Sequence, residues 1–383
     1  MKGSKFSMYN YKLLGHREGI VGVHSPQGDK GGLLVSVSRD GRLKVWNVYD
    51  KKLLLRRVLI RGQDAPEDTG DKSEVGPLDV VESTLFSEKT VFCGYADGQI
   101  HGWNMKEGTH IYQFEGHDDR ISGMTWLSPD RFISSSYDQT LIYWDAMIGS
   151  STCVVRLDHE INQMIKSGNS LYLLLNSREL AVMDINSKVV ELRVEFSDLN
   201  ITCICVTSEL FLFGDTYSHL YVLKLADMTK DDPKGNNLKK TRLLGHNGWI
   251  LNMQVIGKYL MTCSDDKIIR VWSLPQSPIP PKVEATAIQV DELLGHKNGI
   301  NCLAVANDCL FSGSYDLTIK GWPLADIDMR LKIRQKLKEE ELYSIKAETY
   351  KTFLDNKKKK KKRGKSASPK SKSKSPSPAK KKK

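Results

Sequence analysis

Four times along the chain a His, a Ser, an Asp and a Trp follow one another in that order. The sets are His16, Ser38, Asp40, Trp46; His117, Ser136, Asp138, Trp144; His246, Ser264, Asp266, Trp272; and His296, Ser314, Asp316, Trp322. Serine, histidine and aspartate are the residue types of acyl transfer, where an imidazole takes the hydroxyl proton and a carboxylate orients the imidazole. Two features speak against that chemistry. The set recurs four times with one Ser–Asp–Trp spacing, and no Gly-x-Ser-x-Gly elbow frames any of the serines. Other chemistry is equally unsupported. The seven cysteines, at 93, 153, 203, 205, 263, 302 and 309, include no Cys-x-x-Cys pair, so a zinc site is not expected. They read as buried thiols of a reducing compartment. With no Gly-rich phosphate loop either, the chain is expected to be no enzyme and to use no cofactor, metal or small-molecule substrate.

The elements that carry these sets are repeats. The Trp, or the residue replacing it, falls at Trp46, Trp103, Trp144, Met183, Leu223, Trp272 and Trp322, in steps of 57, 41, 39, 40, 49 and 50 residues. A Gly-His pair opens several units (Gly15-His16, Gly116-His117, Gly245-His246, Gly295-His296), with Asp158-His159 as a weaker echo. An Asp precedes the Trp by six positions at Asp40, Asp97, Asp138, Asp266 and Asp316. Inside the units LTIKGW (317–322) and KIIRVW (267–272) alternate with period two, as half-buried strands do. Regular strands punctuated by polar turns predict an all-β array.

These Gly-His … Asp-x5-Trp units resemble the WD-repeat family over about residues 9–325. The resemblance implies a β-propeller of four-stranded blades, and the count of units makes it seven-bladed. It also implies that each His–Ser–Asp–Trp set is a buried, hydrogen-bonded tie within one blade. Physical chemistry agrees, because a buried Asp or His is costly unless paired, and a polar chain ending on an indole N–H satisfies every member. The second unit has Tyr95 at the Ser position and no Gly-His. The fourth has Ser177 where Asp belongs, and the fifth has Tyr217 there. Those three blades are expected to be held mainly by apolar packing. The last unit stops at Trp322-Pro323-Leu324, while the N-terminal YKLLGH matches TRLLGH and DELLGH, so residues 9–14 are expected to supply the missing outer strand and close the ring. Insertions at 61–76, 226–240 and 275–287 read as tolerated loops.

The charge divides into two objects. Of 57 Lys and Arg and 46 Asp and Glu, residues 326–383 hold 22 and 7, a balance of +15, which leaves 35 and 39, or −4, for the rest. Three parts follow: a propeller at 1–325, a charged helical segment at 326–356 that either packs or is solvated, and a Lys/Ser/Pro-rich tail at 357–383 expected to be disordered. Lys357, Lys358, Lys359, Lys360, Lys361, Lys362 and Arg363 form a run suited to nuclear targeting or to phosphate contacts with RNA, with strong salt dependence. Ser368, Ser375 and Ser377 each precede a Pro, the pattern of proline-directed phosphorylation. Each phosphate adds about −1.5 to −2 charges and is expected to loosen the tail's hold on polyanions. No apolar run approaches the roughly 18 residues of a membrane span, and no signal peptide is evident, so a soluble intracellular protein is expected.

A propeller's function must be argued from its surface. The resemblance directs attention to the narrower face, where the residue before each tie Asp and those flanking the first apolar residue after Gly-His gather. Here these are Arg39, Ala96, Tyr137, Asp265 and Tyr315, with Arg120, Ser122, Trp249, Leu251 and Asn301. Aromatic and Arg anchors dominate interface energetics. The candidate partner-binding residues are therefore Arg39, Arg120, Tyr137, Trp249, Asp265, Asn301 and Tyr315, although Trp249 has packing against a neighbouring blade as an alternative. The expected function is a protein-interaction scaffold of the nucleus or nucleolus, with ribosome assembly as its setting and RNA or acidic partners on the tail. A substrate receptor of a ubiquitin ligase is one alternative, weakened because Trp144-Asp145 is followed by Ala146 and Met147 without Arg. A cytoplasmic, cytoskeleton-binding adaptor is the other.

Overall fold

A computed structural model describes residues 11–25, 33–48, 54–60, 80–87, 89–105, 107–196, 198–230, 232, 234, 238–275, 287–333 and 336. The described chain opens with β1 (Tyr11–Leu13). Blade 1 follows as β2 (Ile20–His24), β3 (Leu33–Ser38), β4 (Arg42–Asn47) and β5 (Leu54–Ile60). Blade 2 is β6 (Val81–Phe86), β7 (Thr90–Tyr95), β8 (Ile100–Asn104) and β9 (His110–Phe114). Blade 3 is β10 (Ile121–Ser128), β11 (Arg131–Ser136), β12 (Thr140–Asp145) and β13 (Ser150–Arg156). Blade 4 is β14 (Ile161–Ser167), β15 (Ser170–Leu175), β16 (Glu179–Asp184) and β17 (Val190–Glu195). Blade 5 is β18 (Ile201–Val206), β19 (Leu210–Asp215), β20 (Leu220–Lys224) and β21 (Thr241–Leu243). Blade 6 is β22 (Ile250–Ile256), β23 (Tyr259–Ser264), β24 (Ile268–Ser273) and β25 (Ile288–Leu294). Blade 7 has β26 (Ile300–Ala306), β27 (Cys309–Ser314) and β28 (Ile319–Pro323), and its fourth strand is β1.

The expected seven-bladed propeller is thus present, closed as anticipated. β1 pairs antiparallel with β28 through Tyr11–Gly321, Lys12–Lys320 and Leu13–Ile319. The first strands of successive blades touch in a ring that closes between β26 and β2. All seven positions of the Trp ruler lie on the third strand of their blades, Met183 and Leu223 included. The spacing alone therefore located the two blades with no Trp.

Alternation explains the packing. In blade 1 Leu34 and Trp46 face blade 7, where they join Ile319 and Phe311. Val35, Val37, Leu43 and Val45 point the other way, onto Val91, Cys93 and Trp103 of blade 2. The core is a series of apolar layers between neighbouring blades, so the middle strands are covered on both faces. This corrects the half-buried reading of KIIRVW and LTIKGW. Arg270 is 5% and Lys320 3% exposed, as Lys44 of blade 1 is at 1%. Their charges are met inside the blade: Lys44 Nζ donates to the Gly15 carbonyl at 2.9 Å, Lys320 Nζ to that of Gly295, and Arg270 to Asp266 at 2.7 Å.

Blades 4 and 5 lean on apolar packing, as expected. Between them Phe196, Phe211, Phe213 and Tyr221 stack, with Phe213 and Tyr221 4.7 Å apart. Blade 5 also holds a polar tie that the sequence did not suggest. The buried Asp215 carboxylate accepts from the backbone N–H of Tyr217 and His219, both at 2.8 Å, and sits 3.1 Å from His219 Nδ1. After blade 7 the chain turns helical over 324–333. The chain divides into two units, Met1–Ile327 and Asp328–Lys383. Within the second, Lys332 pairs with Asp328 at 2.8 Å. The 61–76 insertion and the tail, from Lys357–Arg363 to Ser368, Ser375 and Ser377, lie outside the described residues.

Candidate partner-binding face

The four polar ties exist, but their hydroxyl is not the one expected. Ser38, Ser136, Ser264 and Ser314 are not the tie residues. The hydroxyl lies two residues earlier, at Ser36, Ser134, Thr262 and Ser312. Both positions share a strand face, but only the earlier one is deep enough to reach the indole. Trp46, Trp144, Trp272 and Trp322 donate their N–H to it at 2.8, 2.7, 2.9 and 2.9 Å. The later serines instead fasten the turn. Ser136, for example, donates to the Asp119 carbonyl at 2.8 Å and accepts from the Asp138 N–H at 3.1 Å.

Bond directions follow from the Trp. An indole N–H only donates, so the hydroxyl accepts it and gives its own proton to His Nε2, 2.7–2.8 Å away. The imidazole is then neutral and donates Nδ1–H to the Asp, at 2.8–3.2 Å. This is the connectivity of a hydrolytic triad. Each hydroxyl, however, is 0% exposed and already holds an indole N–H, so no substrate carbonyl reaches it. The sets are structural ties.

Acid should loosen them. Burial pushes the carboxyls of Asp40, Asp138, Asp266 and Asp316 up. The hydrogen bonds from His16, His117, His246 and His296 outweigh it, so they titrate below the usual carboxylate range. Burial holds His246 and His296 below the ordinary imidazole value despite their aspartates, and pushes His24 down to about 4. An unfolded chain takes up histidine protons below about pH 6.5, where the fold refuses them, so stability falls as pH drops through that value. The aspartates add a second loss below about pH 4, where the unfolded carboxylates protonate first. The melting temperature is expected to be level from pH 7 to 8 and to decline from pH 6.5 downward. Melts that stay level down to pH 5 would refute this assignment.

One rim of the ring carries the Gly-His turns. There the residue before each tie position donates its backbone N–H to the residue preceding the first strand. The pairs are Arg39–Gly19, Ala96–Val80, Tyr137–Arg120, Asn176–Glu160, Thr216–Asn200, Asp265–Trp249 and Tyr315–Gly299, all at 3.0–3.1 Å. Every first strand also bulges against its neighbour, leaving Val21, Glu82, Ser122, Asn162, Thr202, Leu251 and Asn301 out of register. A bulge re-aims the side chain it carries.

This rim brings most of the candidates together. Arg39 stacks on Tyr315 of blade 7, 5.1 Å from the ring centre, and reaches its hydroxyl at 3.4 Å. Gly19 makes room, since a Cβ there would fall 2.4 Å from the Tyr315 ring. Arg120 stacks on Tyr137 at 5.1 Å and lies 4.0 Å from Glu82. Trp249 is 56% exposed, and Asp265 beside it is exposed. Asn301 differs: it is half-buried, and its amide donates to the Val21 carbonyl at 3.1 Å, fastening blade 7 to blade 1.

Sequence reasoning missed Glu82. Burial raises its carboxyl, while Arg120 and Arg39 oppose the shift. Glu82 lies 4.0 Å from Arg120, on the first strand of blade 2, between blade 1, which carries Arg39, and blade 3, which carries Tyr137. It occupies the position of Ser122, but the second unit lacks the Gly-His that would have set the register. Exposed Tyr217 and Leu317 were missed as well. Leu317 holds φ at 67°, a left-handed conformation that is costly for this residue type. Among the described residues, no group of three His, Cys, Asp or Glu is arranged to hold a metal, and no helix is long and apolar enough to cross a membrane.

Comparisons with known proteins agree with this architecture. Apoptotic protease-activating factor 1 of Rattus norvegicus is 24% identical over 341 residues, 76% of this chain and 25% of that protein. Nuclear distribution protein PAC1 of Eremothecium gossypii is 24% identical over 318 residues, 79% of this chain and 62% of its own. Nuclear distribution protein nudF of Aspergillus niger is 26% identical over 212 residues, 47% of this chain and 46% of its own. The chain therefore spans a quarter of the length of the first of these relatives. The WD domain, G-beta repeat model matches residues 8–47, 108–145, 237–273 and 288–323, the four segments that carry the polar ties. With three further blades repeating the same strand order between them, the chain belongs to the WD-repeat β-propeller proteins.

Proposed function

We propose that this protein is a non-enzymatic scaffold that holds partner proteins on its Gly-His rim. The observation that carries the reading is the pair of Arg39–Tyr315 and Arg120–Tyr137 stacks, the latter beside Glu82, with Trp249 and Asp265 exposed on the same rim. Pre-stacked arginine and tyrosine lose little side-chain freedom on binding, which is the economy expected of an interface anchor. In this reading residues 1–325 are the platform, 326–356 a helical segment, and 357–383 a tail that directs the assembly to the nucleus or nucleolus. Its lysine run suits RNA phosphates, and ribosomal particle assembly is the setting we assign to it. Phosphate on Ser368, Ser375 and Ser377 would weaken that contact.

The test replaces Tyr137, Trp249 and Tyr315 with Ala. Each loss of an anchor should weaken partner binding about tenfold or more, while the melting temperature stays near that of the parent. Retained partners on a folded triple variant would move the interface off this rim. Proximity labelling with the full chain and with a version ending at residue 325 separates the tail's role. The truncated version should leave the nucleus, as should a chain with acidic residues at the three serines in part. A labelling set dominated by ubiquitin-ligase or cytoskeletal proteins would replace the nuclear assignment.

A further inference from the structure

We propose a binding site for a divalent transition-metal ion on the two outer strands of blade 2, formed by His101 and His110. Blade 2 has no tie of the kind seen in blades 1, 3, 6 and 7. His101, two residues before Trp103, stands where blades 1, 6 and 7 carry Lys44, Arg270 and Lys320 and blade 3 carries Ile142. His110 stands opposite Trp103, at a shift in register between Gly102 and Trp103. The shift brings an exposed residue of β9 over the face of β8 that holds His101. Other blades have this bulge too, but place Ser151, Val190 or Gln289 there.

His101 Nδ1 and His110 Nε2 are 2.9 Å apart. Two imidazole nitrogens about 2.0–2.1 Å from one ion at a right angle are about 2.9 Å apart, against about 3.3 Å for a tetrahedral centre. The separation therefore suits the tetragonal geometry of Cu(II) or Ni(II) better than tetrahedral zinc. The tautomer is prepared as well. Gln99 Oε1 lies 3.1 Å from His101 Nε2 and accepts its hydrogen, which turns the Nδ1 lone pair toward His110. Gln113 steadies that arrangement, donating to Gln99 at 3.5 Å and to Glu115 at 2.7 Å. A ligand histidine held through its other nitrogen is the arrangement metal sites use. In the ion-free chain His110 donates its Nε2–H to His101; on binding, that hydrogen moves to Nδ1 through solvent and Nε2 is offered to the ion. Solvent supplies the remaining positions, because His110 is exposed while His101 is buried. Trp103 walls the site, 5.5 Å from the His110 ring and 5.8 Å from that of His101.

The test uses the full-length, untagged chain, stripped with EDTA and titrated with CuCl2 and NiCl2 at pH 7.5. The expected result is one tight equivalent, partial quenching of tryptophan fluorescence, and a Cu(II) electron-paramagnetic-resonance spectrum split by two nitrogens. Binding should weaken as pH falls, because metal ligands must be deprotonated. His110→Ala should abolish the tight equivalent, and Gln99→Ala should weaken it about tenfold or more by releasing the tautomer. His159→Ala, at an exposed histidine elsewhere, should change nothing. No tight equivalent in the parent chain, or the same one in His110→Ala, would mean that the histidines are only a hydrogen-bonded tie. These outcomes leave the rim untouched, so this proposal and the scaffold reading fail separately.

Discussion

A chain lacking residues 1–14 is expected to melt roughly 10 °C below the full chain. The loss comes from β1. Leu13 is 4% exposed and sits in the layer between blades 7 and 1, where burying a leucine contributes about 2 kcal/mol. Tyr11 packs over Gly321, and the β1–β28 ladder adds hydrogen bonds of about 1 kcal/mol each. A total near 4–5 kcal/mol, at roughly 2 °C per kcal/mol for a domain this large, gives the stated shift. The truncated ring also leaves β28 as an open edge, so concentration-dependent association should appear with it. Leu13→Ala alone should cost about 2–4 kcal/mol. Equal melting temperatures for the full and truncated chains would remove β1 from the closure.

Asp266→Ala is expected to be among the most destabilising single changes, at about 3–5 kcal/mol. Its carboxylate accepts from His246, from Arg270 and from the backbone N–H of Asn247 and Ile268. Without it the buried Arg270 guanidinium keeps no carboxylate nearer than Glu292, 3.4 Å away, with the neutral His246 ring at 2.8 Å, and among the described residues Arg270 Nε is buried with no hydrogen-bond partner even in the intact protein. Arg270→Met should cost less, about 1.5–3 kcal/mol, since the Asp266 carboxylate it leaves behind keeps His246 and the backbone N–H of Asn247 and Ile268. Adding Arg270→Met to Asp266→Ala should recover part of the loss. Chemical denaturation of the four proteins checks this. An Asp266→Ala variant within 1 kcal/mol of the parent would show that the tie contributes little.

The ring was legible because its repeats write their own spacing. Met183 and Leu223 were placed on third strands by distance along the chain, without the Trp that marks the others. The tie hydroxyl was not legible. In blade 1 Ser36 and Ser38 have the same parity on β3, and period two assigns them one face. Which serine reaches Trp46 depends on depth below the turn, a distance that composition does not encode. Buried Lys44, Arg270 and Lys320 misled for a related reason: alternation reports a face, not whether another blade covers it. Asn301 was correctly placed near the rim, yet the bulge turned its amide toward the Val21 carbonyl. Glu82 was hidden because the second unit has no Gly-His to count from. The tail residues gave a clear charge pattern, but they lie outside the described chain.

The seven equivalent rim bonds run from main chain to main chain, and none asks anything of the side chain that carries its donor. Arginine, alanine, tyrosine, asparagine, threonine and aspartate all occupy that slot with the same geometry. Natural variation can therefore rewrite the chemical lettering of this surface one position at a time while the ring still closes. A lineage can change the company this protein keeps without first having to rescue its folding.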